Sequence, residues 1–312
     1  MYVLVRCLPT DYVTNKYSAS AGNDGAVAER LDEFRRIYGI DDNSFGGIIK
    51  GYFGWLGNLI KGDLGTSFMY EKPVGTVIAE NMWISFAIAL VATILQFLIA
   101  IPLGITSATH QYSARDYTVT VFTMIGLSFP TYFFAAICIK VFAVDLGWLP
   151  ANGLLYGQIY PDTFAGGLEK LGDEIVHLIM PILVSVILSI GGLMRYTRTN
   201  MLEVLNSDYI RTARAKGLSE GKVIYKHAFR NTLIPLATLL AGILPGLFGG
   251  MLITEQVFGI PGIGNLAYKS LNMGDIPFIM GYNMFLALLT VIGTLLSDIM
   301  YSIVDPRVKL IK

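Results

Sequence analysis

The sequence predicts an all-α protein, a polytopic bundle of helices embedded in a membrane. Three observations support this fold class. The chain of 312 residues is 54% hydrophobic and only 15% charged, whereas soluble domains are about 25% charged. It contains five apolar segments of the length that a bilayer crossing requires, about 20 residues. Its Lys and Arg residues are concentrated in alternate connections between those segments.

The five predicted spans cover residues 84–105, 117–144, 176–194, 233–253 and 278–304. Each of the first four contains proline, and the prolines are Pro102, Pro130, Pro181, Pro235 and Pro245. Proline within a span is tolerated where neighbouring helices or water satisfy the backbone groups that it frees. The prolines therefore favour a packed bundle over isolated anchors.

The distribution of basic residues predicts the orientation of the spans. The connection 195–231 carries eight Lys and Arg residues, whereas 145–174 and 254–277 carry one Lys each and seven acidic residues together. Arg115 in the 106–116 connection and three basic residues after position 304 follow the first pattern. By the positive-inside rule, the 195–231 loop and the C-terminus are cytoplasmic.

An odd number of spans then places residues 1–83 outside, as an extracytoplasmic N-terminal region preceding a membrane domain at 84–312. Segments 28–39 and 45–62 in this region have the periodicity of short amphipathic helices. Two explanations stay open. Residues 1–9, MYVLVRCLP, are the outer end of a first span that the chain lacks, which gives six spans; or the protein has five spans and a translocated head. The first explanation is favoured.

Catalytic and nucleotide-binding chemistry is not indicated. The two cysteines, Cys7 and Cys138, lie far apart, and the three histidines lack metal-ligand spacing. The segment 217–223, GLSEGKV, is one residue too short for a phosphate-binding loop and has Val223 where a hydroxyl belongs. We therefore expect no metal, no bound cofactor and no nucleic-acid partner, and an energy source on another polypeptide.

The cytoplasmic loop 195–231 carries two helix-like pieces, 208–216 and 220–227, hinged at Gly217. Glycine suits the left-handed position after a helix, and Ser219 is a candidate N-cap for the second piece. Ile210, Ala213 and Gly217 share one face, where small residues would let another protein approach closely. Two interpretations stay open: a docking element for a partner, or an amphipathic loop lying on anionic lipid.

This loop resembles the signature loop of permease subunits of ABC importers, which reads Glu-Ala-Ala, three residues, then Gly. Here Arg211-Thr212-Ala213 precedes Gly217, and Arg211 and Thr212 depart from the general pattern. The departures are similar to the dipeptide, oligopeptide and nickel branch of that family. Further segments resemble the branch in the same order: LVRCLP, KGDLGTS at 61–67, LGWLPANG at 146–153, TEQVFGIPGIGNL at 254–266 and DPRVKL at 305–310.

The resemblance implies the fold of a type I ABC importer permease and a role as a non-catalytic transport subunit in a bacterial or archaeal inner membrane. The implied partners are a second homologous permease, two ATPase subunits that hold ATP and Mg²⁺, and an external solute-binding protein. The implied substrates are peptides, with nickel or another small solute as the alternative. The residues implied to couple to the ATPase are Tyr209, Ile210, Arg211, Ala213, Arg214, Gly217, Leu218, Ser219 and Glu220.

A different class, a secondary transporter, would show an internal repeat or ionisable residues near the bilayer midplane. Asp298 and Lys140 are ionisable residues within spans, and the alternative role of Asp298 is a proton or ion relay. Both lie near an interface, so snorkelling or local pairing is favoured. A structural membrane scaffold is the third class, and it predicts that changes in the loop leave transport intact.

The translocation pathway is predicted from small and aromatic residues within spans. Gly242, Gly246, Gly249 and Gly250 indicate either close helix packing or a widened, water-lined pathway. The residues predicted to line the pathway are Phe129, Tyr132, Gly246 and Met251. The segment 259–266, GIPGIGNL, is interpreted as a tight extracytoplasmic turn or as a contact for the external protein.

Overall fold

The computed structural model describes residues 2–3, 12–17, 33, 36, 42, 44–155, 160–161 and 163–304. The predictions for residues 1–9, 28–39 and 305–310 fall almost entirely outside these ranges. The described residues form twelve α-helices and two π-helical segments, with a single β-bridge between Thr66 and Pro73. The α-helices are α1 (Tyr12–Tyr17), α2 (Phe45–Ile60), α3 (Val74–Thr109), α4 (Ala114–Ser128), α5 (Thr131–Cys138), α6 (Phe164–Leu205), α7 (Asp208–Ala215), α8 (Arg230–Ala237), α9 (Leu240–Phe248), α10 (Leu252–Val257), α11 (Ile263–Met273) and α12 (Ile276–Val304), and the π-helices are π1 (Ile139–Asp145) and π2 (Lys222–Phe229).

Three of the described helices are long and apolar enough to cross a bilayer. They are α3, α6 and the Ile276–Met300 part of α12, and they contain the predicted spans 84–105, 176–194 and most of 278–304. The prediction of a multi-pass, all-helical membrane protein is confirmed. Since α3 begins at Val74, the predicted domain boundary at 83/84 lies inside this helix.

The predicted span 117–144 is a bent pair of helices. The axis of α4 and that of α5 with π1 differ by 102°. The bend lies at Phe129 and Pro130, whose backbone is extended, with ψ angles of 132° and 137° respectively. The proline ring disfavours helical backbone in the residue before it, so α4 ends at Ser128. If this pair counts as one span, the described residues contain up to four.

The predicted span 233–253 is not one helix. It is divided between α8, α9 and the start of α10. Pro235 and Pro245 each remove a backbone donor from a helix, and Gly250 adopts a left-handed φ of 77°. The count of five spans therefore stays a prediction.

The centre of the bundle is the packing of α3 along α6. Near the C-terminal end of α3 a glycine makes this packing close. A Cβ atom at Gly104 would lie 2.7 Å from Thr197 Cβ and 2.8 Å from the carbonyl oxygen of Met194. One hydrophobic cluster, on the side predicted to be extracytoplasmic and here called the outer cluster, joins the starts of α3 and α12 to α11, and another joins the ends of α3 and α6 to α7.

The outer cluster is closed by a buried carboxylate. Asp275, directly before α12, is fully buried and accepts hydrogen bonds from Ser67 Oγ at 2.5 Å and from the Phe68 and Met69 amides at 3.1 Å. These contacts attach the 63–73 connection, which precedes α3, to the head of α12. The starts of α3 and α12 are thereby held together.

A second buried carboxylate shapes the turn between α10 and α11. Glu255 accepts a hydrogen bond from the Met251 amide and another from the Asn265 amide, both at 2.9 Å. Gly250 and Gly264 approach so closely that a Cβ atom on Gly250 would lie 2.5 Å from the Gly264 nitrogen. The turn predicted for 259–266 covers only residues 258–262, because α11 begins at Ile263, and its extracytoplasmic location stays a prediction.

Candidate functional site

The hinge predicted in the cytoplasmic loop is present. Helix α7 ends at Ala215, and Gly217 follows with a φ of 73° while its amide donates to the Arg214 carbonyl at 2.9 Å. Helical backbone resumes at residue 220, and the Ser219 carbonyl accepts hydrogen bonds from the next turn. The expected end of this second helix at residue 227 is wrong, because helical backbone continues through π2 into α8.

The small-residue face of α7 is turned towards the bundle. Ile210 and Ala213 are 0% and 7% exposed. They belong to a hydrophobic cluster with Ile105 and Ala108 at the end of α3 and with Met201 near the end of α6. For Ile210 and Ala213 the expectation that this face is open to another protein is therefore wrong, whereas Gly217, its third member, is exposed. Apolar periodicity identified the face, but this chain itself covers it.

The other predicted coupling residues lie on the side of the loop that faces away from the helix bundle. Leu218 is half-buried, and those exposed are Tyr209, Arg211, Arg214, Gly217, Ser219 and Glu220. Arg214 Nη2 donates to Glu220 Oε1 at 2.7 Å across the hinge. The Arg214 guanidinium lowers the pKa of the Glu220 carboxyl, and Glu220 raises the pKa of Arg214. The pair links the helices on either side of Gly217.

An ion pair with a buried carboxylate and a partly exposed guanidinium lies nearby, between the first turn of α4 and the C-terminal part of α6. Arg198 Nε donates to Asp116 Oδ1 at 3.0 Å, and Arg198 Nη2 donates to Oδ2 at 2.9 Å. Asp116 is 3% exposed and also accepts from Ser107 Oγ and from the Tyr112 amide. Sequence reasoning missed this pair. The available signal was an acidic residue three positions after the N-cap Ser113, on the basic side of the membrane.

A cavity of about 460 Å³ lies between α3, α6 and α9. Its polar groups come from α3 and α6, and glycines from α9 form part of the opposite wall. Its lining residues are Ala89, Thr93, Gln96, Phe97, Ser189, Gly192, Leu193, Tyr196, Leu239, Gly242, Ile243, Gly246 and Met251. All of these are uncharged. Gln96 Nε2 donates to the Ser189 carbonyl at 3.0 Å, which joins α3 to α6 across the cavity wall.

The structure brings two of the four predicted pathway residues to this cavity. Gly246 and Met251 line it, and a Cβ atom on Gly246 would meet nothing within 4 Å. Phe129 and Tyr132 lie instead at the bend between α4 and α5, and Tyr132 is 61% exposed. A Cβ atom on Gly249 would lie 3.1 Å from Leu286 Cδ2 of α12. Close helix packing therefore applies to Gly249, whereas the water-lined pathway at Gly246 stays a prediction.

The ionisable residues within spans do not form a relay in the described residues. Lys140 pairs with Asp145 at 2.6 Å, and both are exposed. The local pairing expected for Lys140 is confirmed. Asp298 is exposed on α12.

Residues 100–310 match the family described as binding-protein-dependent transport system inner membrane component. The oligopeptide transport system permease protein AppB of Bacillus subtilis (strain 168) is 39% identical over 309 residues, which cover 99% of this chain and 92% of that protein. The oligopeptide permease OppB of Haemophilus influenzae is 34% identical, with 84% of this chain and 81% of that protein covered. The dipeptide permease DppB of Alkalihalophilus pseudofirmus is 36% identical, with 82% and 80% covered.

One solved structure has a similar fold. A chain in the inward-facing MetNI methionine ABC transporter superposes with a TM-score of 0.54, covering 73% of this chain and 96% of its own length. The sequence identity is 16%, so this likeness concerns the fold alone.

Proposed function

The chain belongs to the family of binding-protein-dependent transport system inner membrane components, and on that premise we propose that it forms, with a second permease, the pathway of an ATP-driven importer for peptides. The peptide substrate is supported by the names of full-length relatives, which are oligopeptide and dipeptide permeases. A neutral cavity with amide and hydroxyl groups suits a substrate whose common part is an uncharged main chain.

The chain acts in this proposal as a non-catalytic subunit. Two ATPase subunits bind ATP and Mg²⁺ and contact the exposed side of the loop 195–231, which we call the coupling loop. An external binding protein delivers the peptide to the opposite face. The protein lies in the inner membrane of a bacterium or archaeon with its C-terminus in the cytoplasm, as the basic residues of loop 195–231 favour.

The observation that carries the proposal is the packing of the coupling helix α7 onto the helices that line the cavity. Through Ile210 and Ala213, α7 shares a cluster with the cytoplasmic ends of α3 and α6. The same two helices provide Gln96, Ser189 and Tyr196 to the cavity. A force applied to α7 therefore acts directly on the walls of the pathway.

ATP can drive such a cycle only if the ATPase subunits favour one global state of the permease over another. Closure of the ATPase dimer would displace α7, and the ends of α3 and α6 would move with it because the contacts between them are buried. The cavity would then change the side of the membrane to which it opens. Gly242 and Gly246 leave room in its wall for a substrate without any side chain having to move.

The test is ATP hydrolysis and peptide uptake by the assembled transporter. This chain would be co-expressed with its second permease, ATPase subunits and binding protein, and reconstituted in proteoliposomes. Hydrolysis stimulated by a mixed peptide library, with uptake of labelled peptide, is the expected result. Hydrolysis indifferent to peptides but stimulated by nickel or another solute would reassign the substrate. Uptake driven by a proton gradient without any ATPase subunit would refute the importer and favour a secondary transporter.

A further inference from the structure

We propose that the ion pair between the buried Asp116 and the partly buried Arg198 is the positioning contact that makes the bent span of α4 and α5 follow the coupling helix α7. This inference rests on the proposed function, since it concerns a step of the same transport cycle. It assigns a role to two residues that contact neither substrate nor ATPase in that proposal.

The pair is built to hold one geometry. The planar guanidinium of Arg198 donates in bidentate fashion, to both carboxylate oxygens of Asp116, an arrangement that fixes orientation as well as distance. Ser107 Oγ, at the end of α3, and the Tyr112 amide, in the α3–α4 turn, donate to the same carboxylate. The carboxylate therefore joins three parts of the chain: the end of α3, the start of α4 and α6.

Elsewhere the contact between α4 and α6 is made largely by glycine against backbone, beside two weaker contacts, of Arg195 Nη2 and Thr123 Oγ1 with methionine sulfurs. A Cβ atom on Gly126 of α4 would lie 2.6 Å from the Ile187 carbonyl oxygen, and one on Gly191 of α6 would lie 2.5 Å from the Thr123 carbonyl oxygen. Backbones that meet at glycine pack closely but offer few side chains to resist sliding. Among the described residues, the Asp116–Arg198 pair is the only ion pair between two membrane-spanning segments.

The pair also lies next to the coupling helix along α6. Arg198 precedes Met201 by three residues, so the two lie on one face of α6 about one turn apart. Met201 is fully buried in the cluster that contains Ile210 and Ala213 of α7. A displacement of α7 thus reaches α6 at Met201, and Arg198 transfers it to Asp116 at the foot of α4.

A movement of α4 also changes the position of the helices beyond the bend between α4 and α5. Since α4 ends at a 102° bend, a shift of its cytoplasmic end changes the position of α5 and π1 on the far side. Without the pair, α6 could move along the glycine contacts and leave α4 behind. The cavity walls from α3 and α6 would then move without the bent span.

The test separates positioning from stability. A buried ion pair is weak evidence for stability, because apolar residues of similar volume often replace it without loss, whereas removal of one partner is destabilising. The double variant Asp116→Leu with Arg198→Met keeps a filled, uncharged contact and removes the bidentate geometry. Arg195→Met is the matched control, since Arg195 lies on the same helix three residues earlier and its Nη2 contacts Met124 Sδ.

Peptide uptake per ATP hydrolysed would be measured for each assembled transporter in proteoliposomes, together with its abundance in the membrane. We expect the double variant to assemble and hydrolyse ATP, with uptake per ATP about tenfold lower, within the range of measured coupling free energies. Arg195→Met should match the wild type. Arg198→Lys keeps the charge but cannot donate two parallel hydrogen bonds to one carboxylate, so its uptake per ATP should lie between those of the double variant and the wild type.

Wild-type uptake per ATP in the double variant would overturn the proposal. If the double variant does not accumulate, Arg198→Lys and Asp116→Asn decide the matter: the proposal requires lower uptake per ATP, and a loss that only follows abundance overturns it. A wild-type complex that neither hydrolyses ATP nor takes up peptide would refute the proposed function instead.

Discussion

Gly217 offers a sharp test of the coupling loop, because a second glycine four residues later serves as its control. Gly217 and Gly221 are both exposed, and a Cβ atom on either would meet nothing within 4 Å. They differ in backbone: Gly217 has a φ of 73° and Gly221 has a φ of −59°. Alanine at the two positions therefore differs in conformational strain and not in space.

The magnitude follows from that strain. A residue with a Cβ in left-handed backbone is destabilised by about 1–2 kcal/mol, which changes an equilibrium by a factor of about 5–30. Gly217→Ala should therefore lower the equilibrium constant for forming the native loop by a factor in that range, and peptide uptake per ATP should fall with the share of native loop that is lost. Gly221→Ala should have no such effect, because its backbone is helical and alanine favours helix by about 1 kcal/mol.

Two further variants at Gly217 should differ from alanine in how much uptake per ATP they lose. Gly217→Asn should be milder than alanine, because asparagine tolerates left-handed backbone. Gly217→Pro should be the most severe, since proline fixes φ near −65° and removes the amide that donates to the Arg214 carbonyl. Uptake per ATP would be measured in proteoliposomes at equal protein abundance. Equal values for Gly217→Ala and Gly221→Ala, or an asparagine variant as damaged as the proline variant, would refute the reasoning.

Three other predictions concern the loop packing, the cavity and the surface ion pair. Ala213→Trp should lower thermal stability of the complex by about 1–3 kcal/mol, because the site is buried and already filled; unchanged stability by thermal denaturation would contradict this packing. Gly246→Leu should reduce peptide uptake without reducing abundance, because its side chain enters the cavity, whereas Gly249→Leu should reduce abundance through its clash with the Pro245 carbonyl. Equal behaviour of the two in uptake and immunoblot assays would argue against the assignment. Glu220→Gln should lower stability by less than about 1 kcal/mol, since the pair with Arg214 is exposed. Because the pKa of Glu220 is lowered in the folded protein, that difference should be constant from about pH 5 to 8 and vanish only as the pH falls through the folded-state pKa, which thermal denaturation across pH would check.

The features that local sequence determines were predicted well. Gly217 was assigned a left-handed position from its place after a helix, and its φ is 73°. The long apolar runs of α3, α6 and α12 were identified from composition, because an uninterrupted run of about 20 apolar residues has few alternatives to a span.

The features that depend on the fold were not predicted. Apolar composition is the same for a straight helix and a broken one, so it did not reveal the bend at Pro130 or the division of 233–253 into three helices. Ile210 and Ala213 were assigned to a functional face, but the side to which that face turns depends on α3 and α6. Arg198 was counted only as a positive charge, since its partner Asp116 lies 82 residues away.

The hydrogen bonds of Asp275 have a consequence for the order in which parts of the protein can fold during its synthesis. Its partner Ser67 precedes it by 208 residues, so the outer cluster cannot close until α12 has emerged. At a synthesis rate of about 5–20 residues per second, the segment around Ser67 waits about 10–40 s for its acceptor. The start of α12 thus completes a cluster whose first residues are synthesised about 200 residues earlier.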